Sequence, residues 1–491
     1  MAKLLKSIKD NFFYLAISFL LFFIPLYPKF PLFSVSGTYV AIRLEDIFIA
    51  LVVGFFGLRL IIKKDFSIFK DSLTKLILLY FGVGLISIIS AIFITKNIVP
   101  HIAFLHFLRR IEYISLLFVS YYSIKNIKQL KTYGWIVLLA TFGVILYGLG
   151  QKFFGWPVVS TMNKEFSKGL ILRLTWWARV NSTFAGHYDL ASYMVMILSL
   201  TVTALVLLKS WKKKIIVGFI GLLSYYILIL TASRVSFGAY LVGTAFVFWF
   251  SNKRWWLIPF FVFSILGMVF SDDLGQRYAA TFNLDLSFLS GKVILKKTEQ
   301  AMAPTPTPSP LPIPTPKESK PSQTGPAPTL TPTPTPTPVF ESESEAGSSG
   351  EPFEPTALAV GRSTDIRLKV EWPRAIRAFL KNPILGTGYS SISLATDNDY
   401  LRMFGEIGIL GVLAFGAVII EIARRMLFFS FNSNALKEER IFVIGVIGAS
   451  IGYFLNATFI DVFEASKVAF FFWIMVGAAL KVIDLRNNRE K

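Results

Sequence analysis

The chain of 491 residues contains no cysteine. Disulfides, thiolate nucleophiles and Cys-ligated metal centres are therefore excluded. Charge is scarce as well: 16% of residues are Asp, Glu, Lys or Arg, against roughly a quarter in soluble domains. There are only three histidines, so general-base chemistry has few imidazoles to draw on. What fills the space is apolar. Hydrophobic residues make up 54% of the chain, 48 of them Phe, and they come in long blocks. That distribution excludes a water-soluble enzyme and reads as an all-α polytopic membrane protein.

The basic excess, +20 at neutral pH, could suggest nucleic acid. Its distribution argues otherwise. Lys63-Lys64, Lys125/Lys128/Lys131, Lys209 with Lys212 to Lys214, and Arg424-Arg425 are short runs between apolar blocks. That is the pattern of cytoplasmic loops under the positive-inside rule, and no nucleic-acid partner is expected. The first apolar stretch follows Lys3, Lys6 and Lys9, which imitates a signal peptide. It lacks a small-residue cleavage site and leads into further blocks, so it reads as a retained first helix.

About 20 apolar residues are needed to cross the hydrocarbon core. About twelve blocks qualify, near 11–27, 43–62, 75–95, 101–121, 134–153, 188–208, 214–231, 234–251, 255–271, 404–423, 440–460 and 465–483. Each is expected to be helical, because lipid offers backbone groups no other partner. With both termini cytoplasmic, every short basic loop falls on the cytoplasmic side of the cell membrane. Only Ala232-Ser233-Arg234 separates the seventh and eighth blocks, so a re-entrant pair is an alternative there. The expected organisation is helices 1–9 with an external loop 154–187 over residues 1–271, then a large extracytoplasmic loop over 272–403. Helices 10–12 and a cytoplasmic tail take up 404–491. The large loop carries a Pro/Thr-rich insert, 303–356, beginning Pro304-Thr305-Pro306-Thr307 and ending near Glu341, Glu343 and Glu345. Alternating proline removes donors and keeps such a segment extended and unpacked. It reads as a spacer or as a sugar-bearing stalk.

Ionisable residues inside spanning segments are costly and default to functional candidates. Arg43, Glu45 and Asp46 stand at the mouth of the second block, where charges that reach water would serve as interfacial anchors. Arg109, Arg110 and Glu112 lie within the fourth; Arg109 and Glu112 are three apart and can pair on one helix face. Glu406 opens the tenth amid Gly405, Gly408 and Gly411, which read as close helix-packing points. On the outer side arginines accumulate against the usual bias. Arg179 precedes Asn181-Ser182-Thr183-Phe184-Ala185-Gly186-His187, Arg234 sits in a turn too short to need a charge for solubility, and Arg367 precedes Trp372. The planar guanidinium fork suits phosphate oxygens. Three of them in one outer cavity would make a diphosphate site without metal, although each alone could be a headgroup contact.

Leu380-Lys381-Asn382-Pro383-Ile384-Leu385-Gly386-Thr387-Gly388-Tyr389, followed by Asp397-Asn398-Asp399-Tyr400-Leu401 and Glu406-Ile407-Gly408-Ile409-Leu410-Gly411, resembles the O-antigen ligase and O-antigen polymerase superfamily. The Arg179 segment, the Ser233-Arg234 turn and the Arg367…Trp372 approach are similar to features of that family. The resemblance implies about a dozen helices, a large extracytoplasmic loop and glycan transfer from undecaprenyl diphosphate to an acceptor hydroxyl. It implies that Arg179 and Arg234, with Arg367 as a third, bind the lipid diphosphate without metal or other cofactor. Where ligases of the family often carry His, this chain has Asp397, which takes the base role by position.

The residues leave other readings open. Asp397 ahead of an apolar helix could be an N-cap. Asp397-Asn398-Asp399 also spells D-x-D, a spacing that can hold a divalent ion. His187 can be a packed histidine rather than a catalyst. His187, Asp399, Glu406 and Arg109 are secondary site candidates. The acceptor could equally make the chain a polysaccharide polymerase or a protein O-glycosyltransferase. A lipid-linked oligosaccharide flippase would be expected to show internal repeats, and a structural export partner would have a decayed site.

Overall fold

The computed structural model describes residues 11–282, apart from 37, 39–40, 162–165 and 176, and residues 364–490, apart from 393–394 and 432–435. The Pro/Thr-rich insert 303–356 lies outside the described residues. Every one of the twelve apolar blocks carries a helix. The first nine are α1 (Phe12–Leu26), α2 (Leu44–Lys63), α3 (Ser72–Ser90), α4 (Pro100–Ser123), α5 (Ile127–Phe154), α6 (His187–Leu207), α7 (Trp211–Leu230), α8 (Arg234–Phe250) and α9 (Leu257–Val269). Two further helices lie between the ninth and tenth blocks, α10 (Asp272–Phe282) and α11 (Trp372–Lys381). The last three are α12 (Asp399–Phe431), α13 (Lys437–Asn456) and α14 (Ser466–Glu490).

By length and composition six helices can cross a membrane: α3 with its π-helical extension, α5, α6, α7, α12 and α14. α9 and α10 pass the same criterion together but are bent by 96° at their junction. The others fall short in length, as α1 and α8 do, or carry charge, as α4 does with Arg109, Arg110 and Glu112. The chain is a multi-pass helical membrane protein. α14 is the central helix, buried along its apolar length from Val468 to Val482 and packed on α4 and α13. α13 also packs on α6 and α8, so the C-terminal third threads through the N-terminal bundle. A two-stranded antiparallel hairpin, β1 (Val158–Val159) with β2 (Ile171–Leu172), precedes α6. α10 and α11 each seat one small or aliphatic side chain in the interior, Leu274 and Ala375.

Two sequence expectations about membrane charge are corrected. Arg43, Glu45 and Asp46 do not reach water; they are 5%, 0% and 8% exposed. Asp46 accepts from the Arg43 backbone N–H at 2.9 Å. Arg109 pairs across helices with Asp46 at 3.1 Å and donates to the Ala41 carbonyl, instead of pairing with Glu112 on its own helix. Interhelical neutralisation ties α4 to α2, and leaving either charge unpaired there would be expensive.

Candidate active site

Arg179 is set by backbone clamps on both sides. The Val180 N–H donates to the Leu230 carbonyl at the end of α7. Ser182, in the left-handed region at φ 51°, is held by Gln151. The Gln151 amide oxygen accepts from the Ser182 N–H at 2.7 Å, and its amide nitrogen donates to the Ser182 carbonyl at 2.9 Å. The guanidinium so placed is 7% exposed and lies over the Tyr188 ring, 5.6 Å from its centre. Burial, reinforced by nearby Arg277 and opposed by Tyr188, lowers its pKa to about 10. It therefore stays charged at neutral pH while being stripped of most of its water.

Arg234 follows the tight turn between α7 and α8, where Ala232 takes φ 47° and the Ser233 hydroxyl caps the next turn. α10 folds over this turn. The Tyr278 hydroxyl donates to the Arg234 carbonyl at 2.6 Å, and the Arg234 guanidinium donates to Thr281. The same helix brings Arg277 within electrostatic reach of both Arg234 and Arg179.

Arg367 enters from the chain just ahead of α11, in a π-helical turn (Arg367–Glu371) that leads into that helix. Its Nε and Nη2 both donate to Asp397 Oδ2, at 2.9 and 2.7 Å. It also hydrogen-bonds the Tyr188 hydroxyl, as Arg179 does. Tyr188 is thus a hub on which guanidinium groups from separate segments converge. Arg179, Arg234 and Arg367, far apart in sequence, surround one position, with Asp397 at its edge.

Asp397 adopts φ 48°, and Asp461 holds it there. The Thr396 and Asn398 N–H groups, on either side of it, donate to the two Asp461 carboxylate oxygens at 2.9 and 3.2 Å. Arg402 bonds Asp461 from α12 at 3.2 Å. Burial holds the Asp397 carboxyl above the ordinary aspartate range, with Asp461 adding to the effect and Arg367 pulling against it. The helix cap is the neighbouring residue: Asn398 Oδ1 accepts from the Leu401 N–H at 2.9 Å. The N-cap alternative for Asp397 is corrected accordingly, and its carboxylate is left to face the arginines.

The Pro383–Gly388 segment fills a break in α12. Gly408 sits at φ 64°, and the helix is interrupted there. The groups freed by the break are all re-paired. The Ile409 and Leu410 N–H groups donate to the Pro383 and Ile384 carbonyls, while the Gly405 and Glu406 carbonyls accept from Thr387 and Gly388. Gly408 is a backbone break, then, and not the packing point its spacing suggested. A Cβ at Gly408 would lie 2.4 Å from the Ile384 carbonyl oxygen. We expect Gly408→Ala to destabilise the purified protein by about 3 kcal/mol or more, read as a fall in its thermal transition. Gly416→Ala, with nothing within 4 Å of the new methyl, is the control and should be nearly neutral.

The secondary candidates separate. His187 lies against Tyr188, with ring centres 4.1 Å apart and planes tilted by 48°, beside the arginine cluster. Asp399 turns away from Asp397 and accepts from the Phe463 N–H at 2.8 Å. Glu406 pairs with Arg402 at 3.6 Å and lines an interior cavity with Arg110 and Asp399. Arg109 lies on the α2–α4 contact already described. No group of three or more His, Asp or Glu side chains placed to hold a metal ion occurs among the described residues.

Four residues at this site escaped the sequence reading: Tyr188, Arg277, Asp461 and Glu371. Glu371, one turn beyond Arg367, has a buried Oε2 without a hydrogen-bond partner. Burial and neighbouring Asp397 push its carboxyl up to about 7, against the pull of Arg367. Asp461 had a legible signal, an acid in the short link between two apolar blocks. Tyr188 and Glu371 had none, because an aromatic beside a span and an acid in an amphipathic segment are both ordinary.

Residues 219–416 match the family model for O-antigen ligase. The matched segment holds Arg234, Arg277, Arg367, Glu371 and Asp397, while Arg179 and Asp461 lie on either side of it. No curated protein matches the chain.

Proposed function

We propose, for a chain whose residues 219–416 match the O-antigen ligase family model, that it moves a glycan from undecaprenyl diphosphate to an acceptor hydroxyl on the extracytoplasmic side. The observation that carries this reading is the convergence of Arg179, Arg234 and Arg367 on Tyr188, with Arg277 close by and a held carboxylate at the edge. A lipid diphosphate brings two or three negative charges to the membrane boundary. Buried, forked donors are the complement to that charge. In the reaction the acceptor oxygen attacks the anomeric carbon as the bond from that carbon to the phosphate oxygen breaks. The electron pair leaves with the diphosphate, and the arginines stabilise the charge that grows there. Asp397 accepts the acceptor's proton through Oδ1, while Oδ2 remains on Arg367.

The direct test is transfer by the purified chain in detergent or nanodiscs, with undecaprenyl diphosphate-linked glycan and a glycan acceptor. Both elongated acceptor and released undecaprenyl diphosphate should appear. Movement of the intact donor across a vesicle without either product would make the chain a transporter instead. EDTA should leave the rate within about twofold, because Asp397 and Asp399 serve different partners here. Loss on chelation restored by Mn²⁺ would give the two acids a metal role.

Glu371 makes donor binding pH-dependent. Below about 7 its carboxyl is neutral, and above that it places a negative charge beside Arg367. Affinity for the diphosphate should therefore fall as pH rises through 7, by about 3- to 10-fold between pH 6 and 8. Glu371→Gln should hold the low-pH affinity throughout. A variant that keeps the wild-type pH dependence would remove Glu371 from this role.

A further inference from the structure

α8 and α12 begin at the arginine site and α13 ends there. Their opposite ends enclose a second pocket, of about 240 Å³, lined by Trp249, Asn252, Arg254, Ser430 and Arg440 among apolar side chains. α8 has 17 residues and α13 has 20, which puts the pocket roughly 25 to 30 Å from the site at 1.5 Å per residue. α12, one of the six helices that can cross a membrane, runs from the site to the pocket residues Leu427, Ser430 and Phe431, which puts the pocket at the other membrane boundary. None of its lining residues is acidic. The Arg254 guanidinium lies over the Trp249 ring, 4.5 Å from its centre. Arg440 Nε is buried without a hydrogen-bond partner, and Arg440 makes no ion pair among the described residues. Next to the pocket, Trp255 and Trp256 are 88% and 60% exposed, the placement of aromatic residues at a headgroup level.

We propose that this pocket binds the headgroup of an anionic phospholipid of the leaflet opposite the transfer site. Two arginines in a lining that holds no acid leave a positive charge inside the pocket that a phosphodiester neutralises, while Glu438 and Glu439, next to Arg440 in the chain, stay out of the lining. The aromatic wall and the apolar side chains Leu427, Ile444 and Ile447 accept the glycerol and the upper acyl chains. The positive-inside distribution, with Lys253 and Lys437 flanking the pocket, makes that leaflet the cytoplasmic one, where a basic pocket between helices selects anionic headgroups. A water-soluble anion would use the same guanidinium groups but none of the apolar wall. The assignment does not depend on the chain's catalytic activity.

Native mass spectrometry of the full-length protein, delipidated and titrated with dioleoylphosphatidylglycerol or dioleoylphosphatidylcholine, tests it. The wild type should retain one phosphatidylglycerol more than the Arg254→Gln/Arg440→Gln double variant. The apparent affinity of that site should fall about tenfold or more, with phosphatidylcholine uptake equal in the two proteins. Equal phosphatidylglycerol retention would overturn the proposal. So would displacement of the bound lipid by an equal concentration of inorganic phosphate. A photoactivatable phosphatidylglycerol on unmodified protein decides the matter should the variant not fold. Its adducts should fall in segments 246–254 and 427–447, and adducts confined to other segments would sink the site.

Discussion

Asp397→Asn should lower kcat for glycan transfer by about 10²- to 10³-fold, the usual worth of a positioned base, and leave donor binding within a few-fold. Asparagine keeps the shape and a hydrogen bond to Arg367 but cannot take a proton. The backbone around position 397 is held by Asp461 through main-chain N–H groups, so the substitution does not release the loop. Asp461→Asn is the companion variant. It weakens the clamp without touching the proton acceptor, and its loss should be smaller and should appear in stability as well as rate. A near-normal rate for Asp397→Asn, with product confirmed, would take the base role away from this residue.

The second large effect is expected at the arginines. Arg179→Ala and Arg367→Ala should each lower kcat/KM for the lipid-linked donor by about 10²- to 10³-fold. Binding of free undecaprenyl diphosphate should weaken in parallel. The two residues share Tyr188, so the double variant should lose less than the product of the single losses. Lysine restores charge but not the two-pronged donor, and rescue by Arg→Lys should be partial. A role limited to holding Tyr188 would give the opposite pattern, with thermal stability falling and diphosphate affinity unchanged.

Much of the fold could be read from the chain. Twelve apolar blocks correspond to twelve helices because hydrocarbon leaves a backbone no other way to pair its polar groups. The number of crossings is less legible. Arg109, Arg110 and Glu112 put three charges inside the continuous helix α4, and α9 bends by 96° into α10, a helix where the sequence reading began a loop. At the site, the arginines were visible as outer charges that loop length did not require. Their meeting point was not visible, because Tyr188 is recognisable only once Arg179 and Arg367 reach it from different segments. The misread charges share one cause. Asp46 was assigned to water and Arg109 to Glu112 from spacing along single helices, whereas neutralisation ran between helices that sequence order does not reveal. Gly408 was misread for a related reason: a glycine that breaks a helix and one that lets two helices touch look alike in one dimension.

The clamp by Asp461 has a consequence for how the protein is made. Asp461 joins the last two helices, so Asp397 is translated well before the carboxylate that fixes it. A nascent chain that has inserted as far as α13 already carries the site arginines, Arg179, Arg234, Arg277 and Arg367, but lacks the strut. The loop around Asp397 is pinned only after Asp461 has been made, so the order of synthesis sets the order in which this corner of the molecule becomes rigid.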